Sequence, residues 1–91
     1  MIDDLAWLTA KEKFPVGLSV QVTVDVVKPF GFFVTIPGCP ATAVVDAISY
    51  KPHGVTVEPA LWPEIGTTLE ATVADHAEHN RQIKLRVDVR K

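Results

Sequence analysis

The chain has 91 residues, of which 47% are hydrophobic and 22% are charged, and its formal net charge is −2. This length suits one domain with a single modest core, and the composition is unlike that of a disordered chain. No apolar run is long enough to span a membrane, and the acidic residues 1–4 do not resemble a signal peptide, so we expect a cytoplasmic protein. The single cysteine, Cys39, excludes an intramolecular disulfide and multi-cysteine zinc sites.

Positive charge is concentrated near the carboxyl end of the sequence. Residues 1–75 carry four basic and nine acidic side chains, whereas residues 76–91 carry five basic and two acidic ones. The acidic total argues against a simple basic nucleic-acid binder. The basic segment is either a solvated final strand with a charged tail or one side of a binding surface.

The first element is a predicted helix over roughly residues 4–13, capped by Asp3 or Asp4 and ended by Pro15. Its predicted apolar side comprises Leu5, Trp7, Leu8 and Phe14. The tryptophan indicates that the helix packs over an open end or an edge of the fold.

Three short strands follow, each predicted by alternation of apolar and polar residues. Residues 17–27 give the clearest pattern, and residues 30–36 and about 41–48 give the next two strands. The residues expected to face the core are Val20, Val22, Val24, Val26, Phe32, Val34, Ile36, Ala43, Val45 and Ala47. Tight connections between the strands favour an antiparallel meander.

A proline-rich segment, residues 49–66, predicts a long loop that Trp62 anchors to the core. Two more strands are predicted at residues 68–75 and 82–89, with Leu69, Ala71, Val73, Ile83, Leu85, Val87 and Val89 facing inward. The whole chain is therefore predicted to be one all-β domain. Its expected fold is a five-stranded antiparallel OB-fold (Greek-key) barrel with a helical extension at residues 1–14 and a long loop between strands 3 and 4.

Three of the four phenylalanines lie within four residues, around Gly31. A glycine inside a strand pattern predicts a bulge or a sharp coil. Phe33 falls on the face opposite the core, and the coil re-aims Phe30, so we expect an exposed aromatic platform. The alternative is that the 49–66 loop covers Phe30 and that the amino-terminal helix covers Phe33.

The sequence resembles the RNA-binding domain family named after ribosomal protein S1, over about residues 15–89. The resemblance is carried by the valine strand that Gly17 begins and by the motif Phe30-Gly31-Phe32-Phe33-Val34. Further matches are the segment from Gly66 to Asp75 and Arg81-Gln82-Ile83-Lys84-Leu85.

This resemblance implies roles for individual residues. Phe30 and Phe33 match two surface aromatics on which bases stack, Asp75 matches an acidic residue that closes the fourth strand, and Arg81 approximates a basic residue that opens the fifth. The chain departs from the family pattern at Val44, where a histidine is usual, and at Ala41-Thr42, where a Gly-Leu pair is usual. It also has Lys84 and Arg86 where serine is common.

The resulting hypothesis is weak, non-catalytic binding of single-stranded RNA without a cofactor. Phe30 and Phe33 would stack bases, while Lys28, Arg81, Lys84 and Arg86 would hold the phosphates. The alternative is a protein-interaction module that kept an S1-like barrel but lost RNA binding, consistent with Val44 and the negative net charge. Neither metal binding nor catalysis is expected, because His53, His76 and His79 lie in separated loops and Cys39 has no evident histidine partner.

Overall fold

One helix and five strands make up most of the computed structural model, which describes residues 2–88. The elements are α1 (Asp4–Lys13), β1 (Ser19–Lys28), β2 (Gly31–Thr35), β3 (Thr42–Tyr50), β4 (Thr68–Ala77) and β5 (Gln82–Val87). A short 3-10 turn, Pro59–Leu61, lies in the loop between β3 and β4. Val89, which the sequence pattern placed in the last strand, lies outside the described residues.

Within residues 2–88, the strands form a closed barrel in the order β1-β2-β3-β5-β4, which confirms the predicted OB-type barrel. Neighbouring strands are antiparallel except for β3 and β5, which run parallel. The prediction that all neighbouring strands are antiparallel is therefore wrong for β3 and β5. A ring with an odd number of strands cannot reverse direction at every step, so at least one neighbouring pair must be parallel.

Most of the residues predicted to face inward fill the barrel. Phe32 is fully buried, with its ring centroid 5.4 Å from that of Tyr50 and 5.9 Å from that of Trp62. The buried Trp62 anchors the long loop to the core, as the sequence predicted. The other strand residues that were predicted to face inward and are buried are Val22, Val24, Val34, Ala43, Val45, Ala71, Val73, Ile83 and Leu85.

Two valines depart from the alternation. The register between β1 and β2 shifts between Val24 and Val26, and this irregularity leaves Val26 exposed rather than in the core. Val44 is only 1% exposed although it lies on the outer face, outside the core cluster. It pairs with Phe33 on β2 and with Lys84 on β5, so larger side chains flank it on both sides.

Helix α1 docks on the barrel through one narrow stripe. Its buried residues, Trp7 and Ala10, join the core cluster together with the C-cap residue Phe14. Leu5 and Leu8 are 75% and 52% exposed, so their predicted burial was wrong. Successive helix residues are rotated by about 100°, so Leu8 lies about 100° around the helix from Trp7 and Leu5 lies about 160° from it. Both leucines therefore point away from the buried stripe. No helix within residues 2–88 is long and apolar enough to cross a membrane.

Gly31 allows β2 to lie directly against β3. It is buried with a φ of +152°, and a Cβ placed there would be 2.2 Å from the carbonyl oxygen of Val45. Beside it, the backbone N–H of Ala47 donates to the carbonyl of Phe30 over 2.8 Å. The sharp coil predicted at this glycine is therefore a close approach of two strands, whereas the register shift lies on β1.

We expect Gly31→Ala to destabilise the barrel more than Gly17→Ala. Both glycines have positive φ, a conformation that L-residues with a side chain rarely adopt, but no atom lies within 4 Å of the position of a Cβ at Gly17. The clash with β3 adds about 1–3 kcal/mol for Gly31→Ala. Urea unfolding of the two variants measures the difference, and equal losses would contradict the close approach.

Candidate nucleic-acid interface

One row of paired residues crosses the outer surface of the barrel. Val26 pairs with Phe33, Phe33 with Val44, Val44 with Lys84, and Lys84 with Asp75. Directly paired residues point to the same side of a sheet, so we name these five residues the cross-strand row. The structure thus brings together Phe33, Lys84 and Asp75, three of the residues that the sequence singled out.

Phe30 lies beside the cross-strand row, in the turn between β1 and β2. Its side chain is 53% exposed, so the 49–66 loop does not cover it. Its ring centroid is 5.8 Å from that of Phe33, and the two ring planes are 85° apart, an edge-to-face arrangement. Phe33 itself is partly buried. These two rings, the aromatic pair, present faces in perpendicular directions.

Acidic groups border Lys84 in the cross-strand row. Its ammonium lies 3.5 Å from a carboxylate oxygen of Asp46, and its pairing partner on β4 is the exposed Asp75. Lys28, at the end of β1 opposite Gly31, is exposed and forms no ion pair with the part of the chain that the structure describes. Lys28 is therefore the less neutralised cation near the aromatic pair.

Arg81 and Arg86 are held by other partners. The Arg81 guanidinium donates to the carbonyl oxygen of Ile2 over 3.0 Å and to the carboxylate of Asp4, so it is turned toward the start of α1. Arg86 Nε lies 2.6 Å from a carboxylate oxygen of Asp88. Each guanidinium is therefore already engaged by a carboxylate.

A polar clamp that the sequence analysis missed holds α1 to β4 and the following turn. Glu78 accepts hydrogen bonds from the indole N–H of Trp7 over 2.9 Å and from the ammonium of Lys11 over 2.8 Å. His76 Nε2 lies 2.7 Å from the carbonyl oxygen of Phe14. The hydrogen bonds from Lys11 and Trp7 hold the pKa of Glu78 below its ordinary value. No sequence motif joins residues 71 positions apart, so nothing in the pattern signalled this contact.

The remaining titratable groups offer little chemistry. Burial raises the pKa of the Cys39 thiol, which disfavours the reactive thiolate. Burial also raises the pKa of Tyr50. Among residues 2–88, no three histidine, cysteine, aspartate or glutamate side chains are placed to hold a metal ion.

The strand order and closure define the chain as an OB-type barrel, and solved structures confirm this fold. GSP13 from Bacillus subtilis superimposes with a TM-score of 0.67 at 20% identity, over 81% of this chain and 55% of that one. A chain of the a/eIF2alpha-aDim2p-rRNA complex from Pyrococcus horikoshii gives a TM-score of 0.68 at 18% identity, over 80% of this chain and 44% of that one.

A third similar structure is RNase R from Mycoplasma genitalium in complex with ribose methylated single-stranded RNA. It gives a TM-score of 0.70 at 15% identity, over 91% of this chain and 14% of that one. The chain therefore spans about half the length of the first two proteins and a small part of the third. At these identities the likeness shows the fold alone. No family model and no curated protein matches the sequence.

The polar clamp predicts how the stability of the fold depends on pH. Because the folded-state pKa of Glu78 is lowered from 4.5, its contribution to stability is present above about pH 4.5 and is lost as the pH falls through the folded pKa. We expect Glu78→Gln to remove this acid-dependent loss. Urea unfolding between pH 3 and pH 6 measures the free energy of unfolding of each variant. Glu12→Gln, on the exposed side of α1, is the control and should keep the pH profile of the parent. Identical pH profiles for parent and Glu78→Gln would contradict the clamp.

Proposed function

We propose that the chain is a non-catalytic module that binds single-stranded RNA through the aromatic pair, Lys28 and Lys84. The observation that carries this proposal is the exposed ring of Phe30, fixed edge-to-face against Phe33. An exposed aromatic ring beside lysines is typical of surfaces that bind unpaired bases. The solved structures that share the fold include two with RNA, which supports the same class of ligand.

Stacking supplies the attraction in this proposal. Every base has a π-face, so an exposed ring binds many sequences, with about 1–3 kcal/mol per stacked base. Because the rings of Phe30 and Phe33 are nearly perpendicular, two bases that stack on them cannot remain stacked on each other. A single strand can splay its bases in this way, whereas the bases of a duplex stay stacked. The aromatic pair therefore favours unpaired RNA.

Electrostatics limits the strength of the proposed interaction. Lys28 and Lys84 attract phosphates, but Asp46 and Asp75 border Lys84 and the net charge of the whole chain is −2. Few phosphates are then neutralised, and the loss of affinity with rising salt is shallow. Arg81 and Arg86, each paired with an aspartate, have at most a secondary part in this proposal.

We expect the double variant Phe30→Ala, Phe33→Ala to weaken binding of a pyrimidine-rich RNA octamer at least tenfold, because it removes both stacking surfaces. Isothermal titration at low salt measures this change. Leu61→Ala, which removes an exposed apolar side chain from the loop between β3 and β4, is the matched control. Unchanged affinity in the double variant would contradict the assignment of the site.

We expect Asp46→Asn to strengthen RNA binding, because it frees the Lys84 ammonium from its carboxylate partner. The plot of log affinity against log salt should then steepen by at most about one, the value for one additional phosphate contact. Lys84→Ala should weaken binding and make the slope shallower. If Asp46→Asn leaves both affinity and slope unchanged, Lys84 does not contact phosphate.

A second function, protein interaction, is favoured by one observation. Val44, where the S1 family usually has a histidine, is buried in the cross-strand row, while Val26 of the same row and Val27 and Ile48 beside it in sequence on β1 and β3 expose apolar surface. A chemical-shift titration with the same octamer separates the two functions. Shifts clustered at Phe30, Phe33 and Lys84 support RNA binding. A flat response at low salt, together with self-association in sedimentation, supports protein interaction.

A further inference from the structure

A surface cavity of about 240 Å³ adjoins the aromatic pair. Phe33 forms part of its lining, and Asp25, Thr35 and Thr42 supply polar lining groups. We call this space the side cavity. Thr35 lies two residues beyond Phe33 on β2, on the same face of the strand and about 7 Å away along it. A pyrimidine stacked on Phe33 is large enough to extend its polar edge toward Thr35 and the carboxylate beside it.

Asp25 is oriented for hydrogen bonding at the side cavity. The hydroxyl of Thr35 donates to one carboxylate oxygen, Oδ2, over 2.8 Å. Asp25 forms no ion pair within residues 2–88, so no lysine or arginine of that segment neutralises it. It lies at the register shift of β1, between Val24 and Val26, where the ladder with β2 is interrupted. A carboxylate in this position only accepts hydrogen bonds and repels phosphate.

We propose that the side cavity is a nucleobase subsite that selects bases with an exocyclic amino group, so that cytosine is preferred over uracil. This inference rests on the proposed RNA-binding function. The N4 amino group of cytosine donates to a carboxylate, a pairing known from base recognition in general. Asp25 supplies the acceptor, Thr35 orients it, and Phe33 supplies the stacking surface.

Uracil fits this arrangement poorly. At the position of the cytosine amino group it carries the O4 carbonyl, which is an acceptor and faces the carboxylate unfavourably. Its one donor on that edge, N3–H, lies between two carbonyl oxygens that the same carboxylate repels. Both bases have a single six-membered ring, so each can stack on Phe33. The part of the discrimination that Asp25→Asn removes therefore reports on the carboxylate.

The test compares octamers of cytidylate and uridylate in isothermal titrations with the parent protein and with Asp25→Asn. We expect the parent to bind the cytidylate octamer about tenfold more tightly, as for one good hydrogen bond to a charged acceptor. Asp25→Asn should reduce this ratio to about one, since an amide both donates and accepts. Glu58→Gln, which removes one negative charge from the exposed loop between β3 and β4, should keep the ratio of the parent.

The second variant, Thr35→Val, removes the hydroxyl that orients Asp25 and should give an intermediate ratio. If the parent binds both octamers equally and Phe33→Ala weakens both, the subsite is wrong and the proposed function stands. If the ratio persists in Asp25→Asn, the carboxylate does not read the base and the subsite is also wrong. If neither octamer binds at low salt, the proposed function fails and the subsite fails with it.

Discussion

The surface described above depends on the close approach of β2 and β3 at Gly31. With no side chain at this buried position, the strand lies against the carbonyl of Val45, and the Phe30 carbonyl accepts the N–H of Ala47. The backbone of Phe30 is therefore fixed while its ring stays in solvent. One glycine thus closes the barrel at this point and also orients the aromatic ring on which the proposed binding depends.

The fold was largely predictable from the sequence, because a half-buried strand leaves a period of two that can be counted. The pattern failed where a local irregularity or a neighbour overrides periodicity. Val26 is exposed because the register shift on β1 turns it away from the core. Leu5 and Leu8 are exposed because α1 buries only a narrow stripe. Val44 is buried on the outer face by larger neighbours, a burial that depends on cross-strand register and is not visible in one strand.

The candidate site was less predictable, because side-chain electrostatics depends on distant partners. The aromatic pair could be found from a local motif, and pairing between strands then placed Phe33 and Lys84 in one row. The basic carboxyl-terminal segment gave a misleading impression of free positive charge. Its described cations Arg81, Lys84 and Arg86 all lie beside aspartates, whereas Arg90 and Lys91 lie outside the described residues.

The attachment of α1 has a consequence for the order of events when the chain folds. Trp7 contacts a partner 71 positions later, and the carbonyl of Ile2 accepts from a guanidinium 79 positions later. Contacts of such separation form slowly, and a growing polypeptide leaves the ribosome from its amino-terminal side. The helix of this segment is therefore synthesised before every strand, yet these two contacts can form only after Glu78 and Arg81 have emerged.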